Sequence, residues 1–114
     1  MKKFSHIGIP SPIVRKGETY LEGAKLFVTD FNASKNNIEW LRFESGSPMP
    51  EVLKTTAHVA YQVDDMKQAL AGQVILIEPF SPMEGVTVAF VLDDGAPVEF
   101  MQLANGDSSN EKVY

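Results

Sequence analysis

The chain has no cysteine, which excludes disulfides and any thiolate metal site and suits a reducing compartment. It has no stretch near the roughly 18 continuous apolar residues that a membrane-spanning helix needs. It also lacks a Lys/Arg cluster, and its formal charge of −5 argues against nucleic acid as a partner. The basic start, Met1-Lys2-Lys3, runs into Gly8, Pro10 and Pro12 instead of a long apolar segment, so no secretory signal is expected and the cytoplasm is the expected location. Histidine is scarce: His6 and His58 are the only two.

What is present is enough for one domain with a modest core, since 44% of the 114 residues are hydrophobic and 22% are charged, an ordinary balance for a soluble globular protein. Lys3 to Ile9 alternates as a strand, with Phe4, His6 and Gly8 on one face. Ser11 to Gly23 has weak helix propensity, and a short helix and an extended path are equally compatible with it. Ala24 to Asp30 and Ile38 to Glu44 read as strands joined through the polar cluster Asn32 to Asn37. Glu44 to Glu51 has linker chemistry. Beyond it the predicted order is a strand over Thr55 to Val63, a helix from Met66 to about Ala71 capped by Asp64 or Asp65 and ended by Gly72, and a strand over Val74 to Glu78. A loop over Pro79 to Gly85 follows, and then two strands, Val86 to Leu92 and Val98 to Leu103, joined by a hairpin at Asp94-Gly95. The chain from Ala104 onward reads as a loose polar tail, with 105–114 outside the domain.

The two halves share landmarks. Ile38-Glu39-Trp40-Leu41-Arg42-Phe43 matches Val98-Glu99-Phe100-Met101-Gln102-Leu103 in residue type, and each follows a strand headed by histidine, Ser5-His6-Ile7-Gly8-Ile9 and Ala57-His58-Val59-Ala60-Tyr61. A carboxylate inside a strand that otherwise reads as buried needs a cation, hydrogen bonds or a metal to compensate its lost hydration. Two imidazoles and two carboxylates form a nitrogen and oxygen donor set suited to Ni, Zn, Co, Mn or Fe(II). The pattern is expected to place His6, Glu39, His58 and Glu99 in one pocket on one face of a bent sheet, with helix covering the other face. Arg42 is expected in a surface salt bridge. Trp40, Phe90 and Phe100 are expected in the core, and Met49, Met83 and Met101 around an adaptable apolar pocket. Gln62 and Gln102 fit either the pocket or the solvent.

His6-Ile-Gly, Ile38-Glu39-Trp-Leu, His58-Val-Ala and Val98-Glu99-Phe-Met resemble the landmarks of the vicinal oxygen chelate superfamily. That superfamily includes glyoxalase I, extradiol dioxygenases, methylmalonyl-CoA epimerase and bleomycin-resistance proteins. The resemblance runs from Phe4 to Leu103. It implies an α+β fold of two βαβββ modules, about 1–46 and 54–104, forming one glyoxalase-like curved mixed sheet over 1–104. The interval from His6 to Glu39 is shorter than that from His58 to Glu99, so the first module has an abbreviated helix. The resemblance further implies a divalent-metal site of His6, Glu39, His58 and Glu99, and a glyoxalase-type lyase or isomerase that stabilises an enediolate of a small vicinal-oxygen substrate, with Glu39 or Glu99 as base. A metal-free or metal-assisted antibiotic-binding protein is the alternative. An extradiol dioxygenase using His6, His58 and Glu99 fits less well, because Glu39 would occupy the oxygen position. A homodimer is expected, its modules paired within a chain or swapped through the linker.

Overall fold

Eight strands form a single curled sheet with the spatial order β2-β3-β4-β1-β5-β8-β7-β6. The computed structural model describes residues 2–104, so the expected tail over 105–114 lies outside the described residues. In chain order the strands are β1 (Lys2–Pro10), β2 (Thr19–Leu21), β3 (Leu26–Val28), β4 (Ile38–Phe43), β5 (His58–Val63), β6 (Val74–Met83), β7 (Val86–Asp93) and β8 (Ala96–Leu103). The order is the same read outward from either side of the centre. β1 pairs parallel with β4, β5 pairs parallel with β8, and β1 and β5 meet antiparallel in the middle. The two halves that share landmarks are thus hydrogen-bonded to one another within one chain, in the predicted mixed sheet.

Alternation along the strands separates two apolar layers. On the concave side Phe31, Val88, Phe90, Met101 and Leu103 pack with Leu53, and Leu26, Val28 and Leu41 continue that lining. On the convex side Val91, Val98 and Phe100 receive Met66, Ala69 and Leu70 from the helix α2 (Met66–Leu70). Asp65 caps α2, its carboxylate accepting from Gln68 N at 3.2 Å, because the first-turn amides have no partner within the helix. The β7–β8 turn holds Asp94 and Gly95 at φ 51° and 87°, the paired left-handed conformations that an Asp-Gly hairpin supplies.

Several elements depart from expectation. The abbreviated helix of the first module does not form between β1 and β2, where Ser11 to Glu18 follows the second of the two courses open to it; Arg15 from this stretch lies 3.8 Å over the Trp40 ring on β4, a cation–π contact. The helix α1 (Glu51–Thr55) forms between the end of the expected linker and the start of the expected strand. It is a single short turn region, marked in the sequence only by prolines on its N-terminal side, and what holds it is burial of Leu53 at 1% exposure. Strand β6 runs through Pro79 and Pro82 to Met83 instead of ending before them. It is one of the two edge strands and its register shifts three times, so a residue without an amide proton costs it little. Phe4 pairs with Tyr61 while His6 pairs with Ala60. The extra residue, Ser5, turns Phe4 away from the His6 face, a bulge that simple alternation cannot foresee.

Candidate metal centre

Strand register assembles the four predicted residues in two rows. Gly8 on β1 is paired with Glu39 on β4 on one side and with His58 on β5 on the other. Ala60 on β5 is paired with His6 on β1 and with Glu99 on β8. Paired residues point to the same face and strands stand roughly 4.8 Å apart, so each row sets one imidazole and one carboxylate on either side of a small residue. The small centre is required: a Cβ on Gly8 would lie 2.6 Å from His58 Nε2 and 2.9 Å from Nδ1. The side chains therefore converge over the midline of the sheet, and one donor atom from each lies within 4.8 Å of all the others.

All four residues are buried, with exposures of 0% for His6, 2% for Glu39, 3% for His58 and 1% for Glu99. His58 Nε2 is 3.0 Å from Glu99 Oε1 in a hydrogen bond. His6 Nε2 is 3.4 Å from Glu39 Oε1 and 3.6 Å from Glu99 Oε1 but is hydrogen-bonded to neither, and Glu39 Oε2 and His58 Nδ1 also lack partners. Unbonded polar atoms at this depth are costly in a metal-free protein. Donor atoms held about 2.0–2.2 Å from one cation stand roughly 3.0–3.5 Å from each other in a tetrahedral site; the three imidazole–carboxylate distances of 3.0, 3.4 and 3.6 Å are near that spacing, and the whole set lies within 4.8 Å. The residues present thus fit a divalent ion, and His6 Nε2, His58 Nε2 and the two carboxylates would hold it.

Burial disfavours the charged form of His6, but the Glu39 and Glu99 carboxylates outweigh it and its pKa is pushed up to about 9. Glu39 is driven upward, chiefly by burial. Burial acts in the same sense on Glu99, yet the two imidazoles beside it overcome this and hold it far below the usual carboxylate range. The carboxylates are therefore unequal: Glu99 is the fixed anion and Glu39 is the one that more readily carries a proton.

Supporting contacts orient the imidazoles. His6 stacks on Phe31 with ring centres 4.0 Å apart and planes 16° apart, and its Nδ1 is 2.9 Å from Ser5 Oγ. His58 meets Phe90 edge-on at 5.2 Å. Above the centre is a largely apolar cavity of about 500 Å³ reached by Glu39, His58 and Glu99, while His6 sits behind them. Its walls come from both ends of the curled sheet. The turn of helix at Glu22–Ala24 and strands β3 and β4 form one side, and β6 from Ile77 to Pro82 forms the other. Ser47 Oγ donates to Ala24 O at 2.6 Å and Lys54 Nζ donates to Ser47 O at 2.8 Å, tying the first wall to α1.

Met49 and Phe90 line the cavity, whereas Met83 is exposed and Met101 is buried in the sheet. Gln102 faces neither pocket nor solvent alone: its Oε1 accepts from Met66 N at 2.6 Å, at the start of α2. Arg42 forms the expected salt bridge, donating from Nη2 and Nε to Glu18 at 2.7 and 3.0 Å. The supporting roles of Gly8, Ser5 and Phe31 were not foreseen from the sequence. Only Gly8 left a signal, as a glycine two residues after a strand histidine.

No family model and no curated protein matches the sequence. Among solved structures, the chain is similar to the crystal structure of hypothetical protein BH1468 from Bacillus halodurans C-125. That likeness has a TM-score of 0.70 at 20% sequence identity and covers 89% of this chain and 94% of the other. It shows a shared fold. Among the described residues no helix is long and apolar enough to cross a membrane.

Proposed function

We propose that the protein is a divalent-metal enzyme of the vicinal oxygen chelate type, a glyoxalase-like lyase or isomerase acting on a small molecule with two adjacent oxygens. One observation carries this reading: two imidazoles and two carboxylates, all buried, bring their donor atoms within 4.8 Å at the floor of an open cavity. A bound cation would supply Lewis acidity toward the two substrate oxygens. The protein's own residues divide the remaining work. Glu39 faces the cavity, has an oxygen without a partner and has its pKa raised by burial, so it is the residue suited to take the proton from the carbon beside the substrate oxygens. Glu99, locked to His58, holds negative charge at the centre. The apolar walls keep water from the reacting carbon.

The size and apolar lining of the cavity also support the second reading, a protein that binds an antibiotic-like molecule without turning it over. Elemental analysis of protein purified without chelator, followed by an isomerase assay on the hemithioacetal of a thiol that carries no carboxylate, such as mercaptoethanol, tests both. Metal bound in about one equivalent, lost in His58→Ala, together with isomerisation abolished in Glu39→Gln, supports the enzyme. A metal-loaded protein that turns over no vicinal-oxygen substrate would favour the binding protein, and absence of metal would remove the proposed centre.

A further inference from the structure

The charges around the cavity bear on which molecules it admits. Of the described residues lining it, the ionisable ones are Glu22, Glu39, His58, Glu78 and Glu99; no lysine or arginine is among them. Glu39 and Glu99 belong to the donor set and His58 is hydrogen-bonded to Glu99. Glu22 and Glu78 are exposed, on the two opposing walls formed by the turn at Glu22–Ala24 and by β6. Between these exposed carboxylates and the buried ones the lining is apolar, with Leu26, Val28, Leu53 and Phe90 among it. The buried Glu39 Oε2, without a hydrogen-bond partner, marks the inner end as a place where a ligand is received.

We propose that this cavity selects an apolar molecule whose outward end is a protonated amine, and rejects molecules with a carboxylate or phosphate there. A cleft lined by one sign of charge raises the local concentration of ligands of the other sign and repels those of its own. A carboxylate or phosphate at the outward end would face Glu22 and Glu78 and, among the described lining residues, no lysine or arginine. Thiol-tripeptide conjugates, coenzyme A thioesters and sugar phosphates are excluded on this ground. For the orientation of the ligand, though not for its charge, the inference rests on the metal-enzyme reading.

Two probe series of matched shape test it. With zinc-loaded protein the probes are catechols with a propyl, an aminoethyl or a carboxyethyl tail, that is a propylcatechol, dopamine and dihydrocaffeate, measured by titration calorimetry. With chelator present they are phenylbutanol, phenylbutylamine and phenylbutyrate, measured by competition against an apolar fluorophore. The amine is expected to bind more tightly than the carboxylate by roughly tenfold or more in both series, with the neutral member between. The Glu22→Gln/Glu78→Gln variant, altered only at exposed positions, should narrow that ratio several-fold, and added salt should narrow it too. Equal or tighter binding of the carboxylate in either series overturns the proposal, as does failure of all the apolar probes to bind. If the protein takes up no zinc but the second series keeps its order, the metal-enzyme reading falls and this inference stands.

Discussion

The imidazole of His58 fills the space where any side chain on Gly8 would begin, its Nε2 standing 2.6 Å from the position of a Cβ there. Gly8 is also the residue on β1 that separates Glu39 from His58. Gly8→Ala should therefore displace the ring and cost about 1–3 kcal/mol of stability through overpacking. It should also weaken zinc binding by roughly 10-fold or more, as changes that misorient a ligand do. Gly8→Ala/His58→Ala should be less destabilised than the two single changes predict together, since the second removes the clash. Urea unfolding of the three variants measures this, and an additive cycle would contradict the clash.

The two carboxylates should respond in opposite senses to neutralisation. In chelator, Glu39→Gln is expected to leave stability unchanged or raised, because burial already disfavours the Glu39 charge. Glu99→Gln should cost about 3–5 kcal/mol, because it breaks a buried pair with His58 and leaves imidazole groups uncompensated. Both changes should lower zinc affinity. Unfolding midpoints in chelator and zinc titrations of the same samples separate the two effects.

The stability of the metal-free protein should fall as the solution is made alkaline. The pKa of His6 is raised in the folded protein to about 9 from an ordinary 6.5, so its contribution is fully present below about pH 6.5 and is lost as pH rises through about 9. The raised Glu39 acts in the same sense. Glu99 is lowered, so its contribution is present above the ordinary carboxylate range near 4.5 and is lost as pH falls toward its folded value. Melting temperature in chelator should peak in mildly acidic solution. Zinc must displace the proton on His6, so the rise in melting temperature on adding zinc should grow between pH 6 and 8. Thermal scans across pH with zinc or chelator check both trends.

Phe31 supports His6, the candidate ligand that does not line the cavity. Stacked on His6 and 4% exposed, it should cost about 3–5 kcal/mol when changed to alanine. Phe31→Leu should keep most of the stability yet bind zinc more weakly than the wild type. Zinc affinity unchanged in Phe31→Leu would show that the stack does not orient the imidazole.

The sequence by itself determined the strands that carry the site, because period-two alternation and a repeated His-then-Glu pattern survive without knowledge of neighbours. It also determined the donor set, since buried carboxylates on apolar strands demand compensation and the chain offers no cysteine. Asp65 and the Asp94-Gly95 turn were readable for a local reason: caps and tight turns depend on the residues within them. Tertiary structure decided the rest. It ran β6 through two prolines because an edge strand needs few amide donors, and stabilised α1 through a single buried leucine. It turned Phe4 aside with a bulge at Ser5. Above all, the pairing of β1 with β5 and the parallel pairing of each with β4 or β8 set Gly8 and Ala60 between the donors. Which residues face one another across strands is a property of register, and register is fixed by the whole sheet and not by any one of its strands.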